Sequence, residues 1–476
     1  MQEKKLCDTF CILPFKHMQI GNTGLVRLCC QASFVLDEDG EPLSVYNHSS
    51  ASIWNSKFMR ETRRALIEGK RVAACGMCWQ QESNGAISKR MVENDKWQAH
   101  LAFGDVTRLY LYAKRILNLK QFIDPFKTIK AEAVRNDFFE QSSPVNLEFE
   151  VGNVCNLKCR MCSPDYSSRI KNDPVHSKWH VTANPSDSHQ NKSKSNEYPL
   201  SRLPEKTHWF KEREFIYGEL LKQPKSIQYI IFKGGEPFVS KEALDVLDFL
   251  STNGDSSNLT IAVVTNGTVA DAPLLHTLAR FKRVAIAVSL DGVGSQYEYI
   301  RYPAKWNAVE ENLRGFSKLK NTSITVSITI QAYNVLNLVE IFRHCDRFGY
   351  RININILNYP AFLSISVIPP TARRVAAERI REYVKSDCRY RHRKNIGALA
   401  TALESAGDEM NMKKFHEFML FTNDLDQSRN QSFREIYPEL FGYFEGDGFM
   451  WSNSGRFTRH DPLTPDLHPS LPIAAG

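Results

Sequence analysis

Three cysteines near the middle of the chain have a spacing that suits an iron–sulfur cluster. Cys155, Cys159 and Cys162 form the pattern C-x3-C-x2-C. Such clusters are commonly held by four thiolates, so three thiolates would hold three corners of a four-iron cluster and leave the fourth iron open to a small molecule. A zinc knuckle is the alternative, but structural zinc normally takes four ligands, and no fourth Cys or His lies close by. The spacing therefore favours a reactive iron–sulfur cluster.

A glycine-rich turn further along the chain has the composition of a ligand-binding loop. It has the sequence Gly234-Gly235-Glu236-Pro237. Glycine lets the backbone approach a ligand closely and adopt positive φ, and the glutamate can accept a hydrogen bond from an amine. Alone, this sequence could be an ordinary turn. Its position directly after a predicted strand makes it more specific.

The elements that would position these residues follow an alternating pattern. Six short apolar runs are separated by helical stretches, which predicts βαβ units, a parallel sheet and right-handed crossovers. We expect an α/β fold, a partial (β/α)6 barrel, with its chemistry at the carboxyl ends of the strands. The cysteine triad follows the first run and the glycine-rich turn follows the second. The six runs are 145–151, 227–232, 259–264, 284–290, 324–330 and 352–357.

The other cysteines are unevenly distributed. The chain has eleven cysteines, an odd number, and six of them precede residue 80: Cys7, Cys11, Cys29, Cys30, Cys75 and Cys78. This concentration predicts a second metal site. Cys345 and Cys388 stand alone, and we expect them to be small buried apolar residues rather than ligands.

Bulk composition narrows the function classes. The chain has 476 residues, of which 42% are hydrophobic, and a net charge of +8. This is ordinary for a folded protein of several domains and does not indicate nucleic acid. No stretch has the roughly 20 apolar residues that span a bilayer, and no signal region follows the N-terminus. We therefore expect a cytoplasmic protein without membrane contact, in which cysteines are ligands or reactive thiols rather than disulfides.

Composition and periodicity divide the chain into five predicted parts. Residues 52–70 and 92–142 are predicted to be helical, and the polar stretch 175–198 reads as a surface insertion, either a loop or a lid. The parts are a Cys-rich module at 1–100, a helical connector at 101–143, the barrel at 144–365, a helical extension at 366–460 and a disordered tail at 461–476.

The triad after the first strand and Gly-Gly-Glu-Pro after the second together resemble the radical S-adenosylmethionine superfamily. The resemblance implies that the open iron chelates the amine and carboxylate of S-adenosylmethionine, and that Gly234–Pro237 contacts the amine. Reductive cleavage would then yield a 5′-deoxyadenosyl radical that abstracts hydrogen from a substrate. The electrons would come from a donor such as flavodoxin or ferredoxin.

The same resemblance suggests four further cofactor contacts. Asn266 lies in a turn after the third strand, and Ser289 ends the fourth. Arg301 follows at a spacing where related enzymes place an arginine on the cofactor carboxylate, a role its guanidinium suits, although a solvated surface arginine is an equal alternative. Gln331 ends the fifth strand, where a polar residue can reach the ribose. One departure is Met161, which stands where many relatives have an aromatic residue.

The N-terminal cysteines resemble the SPASM/twitch module, in which four cysteines hold an auxiliary four-iron cluster. Here the module precedes the barrel instead of following it. The best matches are Cys11, Cys29, Cys75 and Cys78, with Cys30 a rival to Cys29, while Cys7 has no clear role. Four thiolates also suit tetrahedral zinc, which stays the alternative at this site.

These features predict a radical S-adenosylmethionine enzyme with two clusters. Its substrate is unidentified, with a ribosomally made peptide as one candidate. The first alternative is a radical dehydrogenase of a small alcohol or sugar. The second is a non-catalytic iron–sulfur or zinc scaffold, which the intact triad and glycine-rich turn argue against. No residue is predicted as the hydrogen donor.

Overall fold

The structure is a computed structural model that describes residues 9–83, 87–103, 126–140, 142–181, 208–405, 409–447 and residue 451. Four predictions therefore fall wholly or partly outside the described residues. They concern Cys7, residues 104–125 of the predicted connector, residues 182–198 of the polar insertion, and the tail from residue 461.

A single eight-stranded sheet organises the fold. Its strand order is β2-β1-β3-β4-β5-β6-β7-β8, and every neighbouring pair is parallel except β1 and β2. The two edge strands, β2 and β8, do not pair with each other, so the sheet is an open, partial barrel. The strands are β1 (His17–Ile20), β2 (Val26–Arg27), β3 (Asn146–Glu150), β4 (Tyr229–Lys233), β5 (Thr260–Thr265), β6 (Arg283–Ser289), β7 (Thr322–Ile330) and β8 (Arg351–Ile356).

The six predicted strands are present as β3 to β8, and two more come from the N-terminal module. Strand β1 extends the sheet by pairing with β3, in the register His17 with Asn146. Its four residues are all buried, so they show no alternation of apolar and polar positions, and β2 has only two residues. Strands this short lack the period-two pattern from which strands are predicted. The barrel and the N-terminal module therefore share one sheet.

Alternation along the central strands gives the sheet two different faces. On β6, Val284, Ile286 and Val288 are at most 1% exposed and belong to the core. The intervening residues up to Ser289 are only partly buried. Strand β7 repeats the pattern in register, as expected when one face of a sheet is packed and the other is more open.

Helices cover the packed face of the sheet, and further helices precede and follow the barrel strands. In the N-terminal part they are α1 (Leu13–Lys16), α2 (Ser50–Trp54), α3 (Lys57–Ile67), α4 (Gly76–Ser83), α5 (Lys89–Phe103) and α6 (Lys127–Arg135). Around the sheet they are α7 (Ser168–Lys171), α8 (Lys178–Val181), α9 (Lys241–Asn253), α10 (Ala272–Ala279), α11 (Gly294–Ile300), α12 (Trp306–Ser317) and α13 (Leu338–Phe348). The C-terminal helices are α14 (Pro370–Ser386), α15 (Tyr390–Glu404), α16 (Met412–Arg429), α17 (Phe433–Ile436) and α18 (Pro438–Gly446).

Shorter elements complete the described chain. A π-helix spans Glu214–Leu220. The 3₁₀ turns are Ala73–Cys75, Trp209–Lys211, Pro224–Ser226, Ala361–Leu363 and Ile365–Val367. The division of the chain into five parts stays a prediction.

The helix predicted over residues 52–70 is two helices, because the chain is capped twice. The Ser49 side chain accepts a hydrogen bond from the Ser52 amide and begins α2. The Ser56 side chain does the same for the Met59 amide and begins α3. A serine cap accepts a hydrogen bond from an amide that the start of a helix leaves free. The second cap therefore begins a new helix, although the spacing of the apolar residues alone predicts one continuous helix.

The C-terminal helices pack against the barrel. Tyr333, which follows β7, shares a buried hydrogen bond of 2.8 Å with Thr422 on α16. Cys345 and Cys388 are 0% and 2% exposed within this core, as predicted for isolated cysteines.

Among the helices that the structure describes, none combines the length and apolar character needed to cross a bilayer.

Candidate metal and cofactor site

The cysteine loop leaves β3 and lies directly against the loop that leaves β4. The Val151 amide donates to the Lys233 carbonyl at 2.7 Å, and the amides of Gly235 and Glu236 donate to the carbonyls of Gly152 and Val154 at 2.8 and 2.7 Å. These backbone bonds continue the parallel pairing of the two strands beyond their ends. The triad and the glycine-rich turn therefore meet at the carboxyl end of the sheet.

The three thiols of the loop lie close enough to interact electrostatically. Burial raises the pKa of Cys155 to about 12, and the neighbouring Cys159 raises it further. Burial likewise raises the pKa of Cys162, with added contributions from Cys159 and Cys155. Mutual repulsion of this kind requires close thiols, and a cationic metal centre would reverse it by favouring the thiolates.

Gly234 and Gly235 are required by close packing of backbone against backbone. Gly234 has a φ of +117°, and a Cβ there would lie 2.8 Å from the Val151 nitrogen. A Cβ on Gly235 would overlap the Val154 carbonyl oxygen and lie 2.8 Å from the carbonyl carbon of Asn153. Side chains therefore cannot be placed here without moving the loop that leads into Cys155.

The Glu236 carboxylate fixes this turn to the next strand. It is 1% exposed and accepts hydrogen bonds from the Thr265 hydroxyl at 2.7 Å, the Asn266 amide at 2.6 Å and the Phe238 amide at 3.1 Å. Burial raises its pKa to about 7, although these hydrogen bonds lower it. Glu236 thus joins the ends of β4 and β5, a role that its sequence position did not reveal. The buried Pro237 completes the turn.

Asn266 reaches the cysteine loop from the end of β5. Its side-chain nitrogen donates to the Asn156 side-chain oxygen at 2.8 Å and lies 4.0 Å from the Cys155 sulfur. Its side-chain oxygen accepts from the Thr268 amide at 2.9 Å. The predicted Asn266 position is therefore next to the triad, in contact with the first cysteine.

Arg301 is buried beside the second cysteine, so the alternative of a solvated surface arginine is wrong. It is 8% exposed, one guanidinium nitrogen lies 3.8 Å from the Cys159 sulfur, and another lies 2.6 Å from a carboxylate oxygen of Asp291. Asp291 was missed as a site residue, although it stands two positions after Ser289 at the end of β6. Arg301 thus places a positive charge beside the triad, and the Asp291 carboxylate compensates that charge.

The remaining predicted contacts end neighbouring strands. Ser289 is the last residue of β6 and is partly buried. Gln331 follows β7 and is 0% exposed, and its side-chain nitrogen donates to the Thr329 carbonyl at 3.4 Å.

The residues at this end of the sheet fit a four-iron cluster with S-adenosylmethionine. Among the described residues, Arg301 Nε and Gln331 Oε1 are buried without a hydrogen-bond partner. A guanidinium N–H suits a carboxylate and an amide oxygen suits a hydroxyl, and the cofactor offers both. The three thiols of the cysteine loop would supply the cluster ligands. Within the described ranges, no three His, Cys, Asp or Glu side chains are placed to share a single metal ion.

Four N-terminal cysteines are the predicted ligands of the second site. Cys11 precedes α1, Cys29 follows β2, Cys75 ends a 3₁₀ turn and Cys78 lies on α4. Burial raises the pKa of Cys11 the most. Electrostatic interactions with Cys75, Cys29 and Cys78 raise it further. Elements far apart in sequence thus place Cys11 near enough to the other three predicted ligands to interact with them electrostatically.

The structure separates Cys29 from its rival Cys30. Cys29 is 7% exposed; burial raises its pKa to about 12, and Cys75 is among the groups that raise it further. Cys30 is exposed, and it interacts electrostatically with Lys233 and, like Cys29, with Lys89. Burial therefore supports Cys29 as the ligand.

Exchanging each of these two cysteines for serine tests the assignment. We expect Cys29→Ser to lose about four irons per chain after anaerobic reconstitution, because a four-iron cluster loses a thiolate ligand. Cys30→Ser, the matched control one residue away, should keep the parental iron content. The measurement is iron and sulfide per chain, and the reverse pattern would assign Cys30.

Two family models match the chain. The model of the Radical SAM superfamily matches residues 149–346, which include the cysteine triad. The model of SPASM, an iron–sulfur cluster-binding domain, matches residues 11–79, which include the four N-terminal cysteines. The second match decides between iron–sulfur and zinc at that site in favour of iron–sulfur.

Similar solved structures have low identity to the chain. Native anSMEcpe with bound AdoMet is 16% identical, with 51% of this chain and 60% of that chain covered and a TM-score of 0.33. Streptococcus suis SuiB bound to S-adenosylmethionine is 13% identical, with 60% of each chain covered and a TM-score of 0.33. The chain thus spans 60% of the length of each. No curated protein matches it.

Proposed function

The chain belongs to the radical S-adenosylmethionine superfamily and carries an N-terminal iron–sulfur module, and from this premise we propose that it is an enzyme that abstracts hydrogen from a peptide substrate. Its cofactors are a four-iron cluster, S-adenosylmethionine and an auxiliary iron–sulfur cluster. When bound, the cofactors supply a 5′-deoxyadenosyl radical by reductive cleavage of S-adenosylmethionine. The electrons come from a small carrier such as flavodoxin or ferredoxin.

One observation carries the catalytic part of the proposal. The triad, the Gly234–Pro237 turn and the Arg301–Asp291 pair occupy the same end of the sheet, although they belong to three different strand ends. A degenerate scaffold has no need for the close backbone packing at Gly235 or for an arginine buried against a thiol. Both features are explained if the site holds a charged cofactor in a fixed orientation.

The residues of the chain bind and orient the cofactor. Cys155, Cys159 and Cys162 would hold three irons. The backbone carbonyls of Gly234–Pro237 would accept hydrogen bonds from the amine, since Gly234 and Gly235 have no side chain that blocks a close approach. Arg301 presents its unpartnered Nε–H to the carboxylate, and Gln331 offers its buried oxygen to a ribose hydroxyl.

The open face of the sheet supports a substrate with many polar groups. Ser289, Ser327 and Asn353 stand side by side in register on β6, β7 and β8, and none of the three is fully buried. Hydroxyl and amide side chains at this spacing can hydrogen-bond successive groups of a peptide backbone. They begin at Ser289, at the cofactor end of the sheet, so a bound chain would pass the radical site.

The catalytic proposal is tested by anaerobic reconstitution of the full chain. We expect about eight irons per chain, as two four-iron clusters require, and formation of 5′-deoxyadenosine under a strong reductant. The measurement is iron content together with chromatographic detection of 5′-deoxyadenosine. Full cluster loading without any cleavage would favour the scaffold alternative instead.

The substrate class is tested by adding cell-extract fractions to the reconstituted enzyme. A peptide-containing fraction should raise 5′-deoxyadenosine formation above the uncoupled rate, and prior protease treatment of that fraction should abolish the rise. Stimulation that survives the protease would point to the small-molecule dehydrogenase instead.

A further inference from the structure

One buried arginine within the cysteine loop contacts the C-terminal helices. Arg160 lies between the second and third cysteines and is 0% exposed. Its guanidinium donates to Asp426 on α16 at 2.5 Å and to the Gln431 side-chain oxygen at 3.0 Å. It also donates to the Tyr299 carbonyl at 3.1 Å and lies 3.6 Å from the centre of the Tyr299 ring.

A buried guanidinium of this kind depends on its carboxylate. Removing one partner of a buried ion pair leaves an uncompensated charge, which is strongly destabilising. Asp426 is the carboxylate paired with Arg160, with a side chain that is 13% exposed. It also accepts from the Tyr299 hydroxyl at 2.7 Å and the Phe433 amide at 2.6 Å. Asp426 therefore joins the cysteine loop to α11 and to the start of α17.

The backbone of Arg160 transmits this anchoring to the cysteines. Its amide donates to the Ile300 carbonyl at 2.9 Å, and the Lys158 amide donates to the Tyr302 carbonyl at 2.7 Å. These two bonds flank Cys159 on both sides. The residue between the two accepting carbonyls is Arg301, which contacts the Cys159 sulfur. The side chain and the backbone of Arg160 thus hold the same short segment.

We propose that Asp426 is a positioning residue for the cysteine loop, through which the C-terminal helices hold Cys159 and Cys162 at the spacing the cluster requires. Helix α16 lies beyond residues 149–346 that match the family, so this part of the site comes from outside the matched segment. The inference rests on the proposed role of the three cysteines. It does not depend on the substrate or on the reaction.

The test compares Asp426→Asn with Glu417→Gln. The second variant is a matched control, because it changes a carboxylate on the same helix to an amide. Glu417 pairs with Lys414 and not with the cysteine loop. In the cofactor-free full chain, alkylation of Cys159 and Cys162 is followed by peptide mapping. We expect Asp426→Asn to accelerate their labelling about tenfold, because local opening of the loop becomes easier. After reconstitution, the same variant should release about four irons to a chelator about tenfold faster than the parent.

Two readouts separate positioning from general instability. The labelling of Cys388 and the iron of the auxiliary site should stay parental, and Glu417→Gln should behave as the parent throughout. If Asp426→Asn does not fold, Gln431→Ala decides, since it removes only one hydrogen bond to Arg160 and should give a smaller acceleration. Parental labelling and iron release in a folded variant would overturn the inference. Absence of cleavage in the parent would instead refute the proposed function, while the labelling comparison would still stand.

Discussion

Gly235→Ala is expected to weaken binding of S-adenosylmethionine by more than about 100-fold, with a matching loss of its cleavage. The added Cβ would overlap the Val154 carbonyl oxygen and lie 2.8 Å from Asn153. Both are backbone atoms of the loop leading into Cys155, so the loop must move. The overlap costs about 1–3 kcal/mol, and the amide bonds from Gly235 and Glu236 contribute about 1 kcal/mol each. A sum near 3 kcal/mol corresponds to an affinity for S-adenosylmethionine that is about 100-fold lower.

Binding to the reconstituted protein by equilibrium dialysis measures the effect, and Gly397→Ala is the matched control. Gly397 lies on α15, and a Cβ there would meet nothing within 4 Å. Alanine is more favourable than glycine inside a helix by about 0.5–1 kcal/mol. The control should therefore bind the cofactor normally and unfold at an equal or higher temperature. Equal binding by both variants would show that the turn does not hold the cofactor.

The sequence predicts the barrel well because each of its strands carries its own local signal. Strand β7 alternates at Ile324, Val326 and Ile328, and all three are buried in the structure. Strand β1 has no such signal, since His17 and Gln19 are as buried as their apolar neighbours. Its place in the sheet depends on pairing with β3, which is more than a hundred residues away in sequence. Local periodicity contains no information about such a pairing.

The same distinction separates the predicted site residues from the missed ones. The triad and the glycine-rich turn are visible because they are short motifs after predicted strands. The Arg160–Asp426 pair joins residues that are 266 positions apart, and Asp291 needs its partner Arg301 to be recognised. The role of Glu236 as a link between strand ends likewise depends on Thr265. Charge pairs of this kind appear only when the fold brings the two partners together.

Cys159→Ala is expected to abolish cleavage of S-adenosylmethionine and to leave about four irons per chain, those of the auxiliary site. Cys159 is the most buried cysteine of the triad, at 7% exposed, and it contacts Arg301. Two thiolates cannot hold three irons, so neither Cys155 nor Cys162 can compensate. Iron analysis and assay of 5′-deoxyadenosine measure both outcomes.

The matched control for Cys159→Ala is Cys388→Ala, which removes another buried thiol, 2% exposed, from the C-terminal core. It should destabilise the fold by about 1–2 kcal/mol as a core truncation while keeping about eight irons and parental cleavage. The comparison of the two variants thereby distinguishes the loss of a buried thiol from the loss of a cluster ligand. If Cys159→Ala retained full iron and cleaved the cofactor at the parental rate, the open iron site would have to lie elsewhere. The Arg301 contact would then be a packing feature, and the Gly235→Ala effect would also be expected to disappear, because both depend on a cofactor at this end of the sheet.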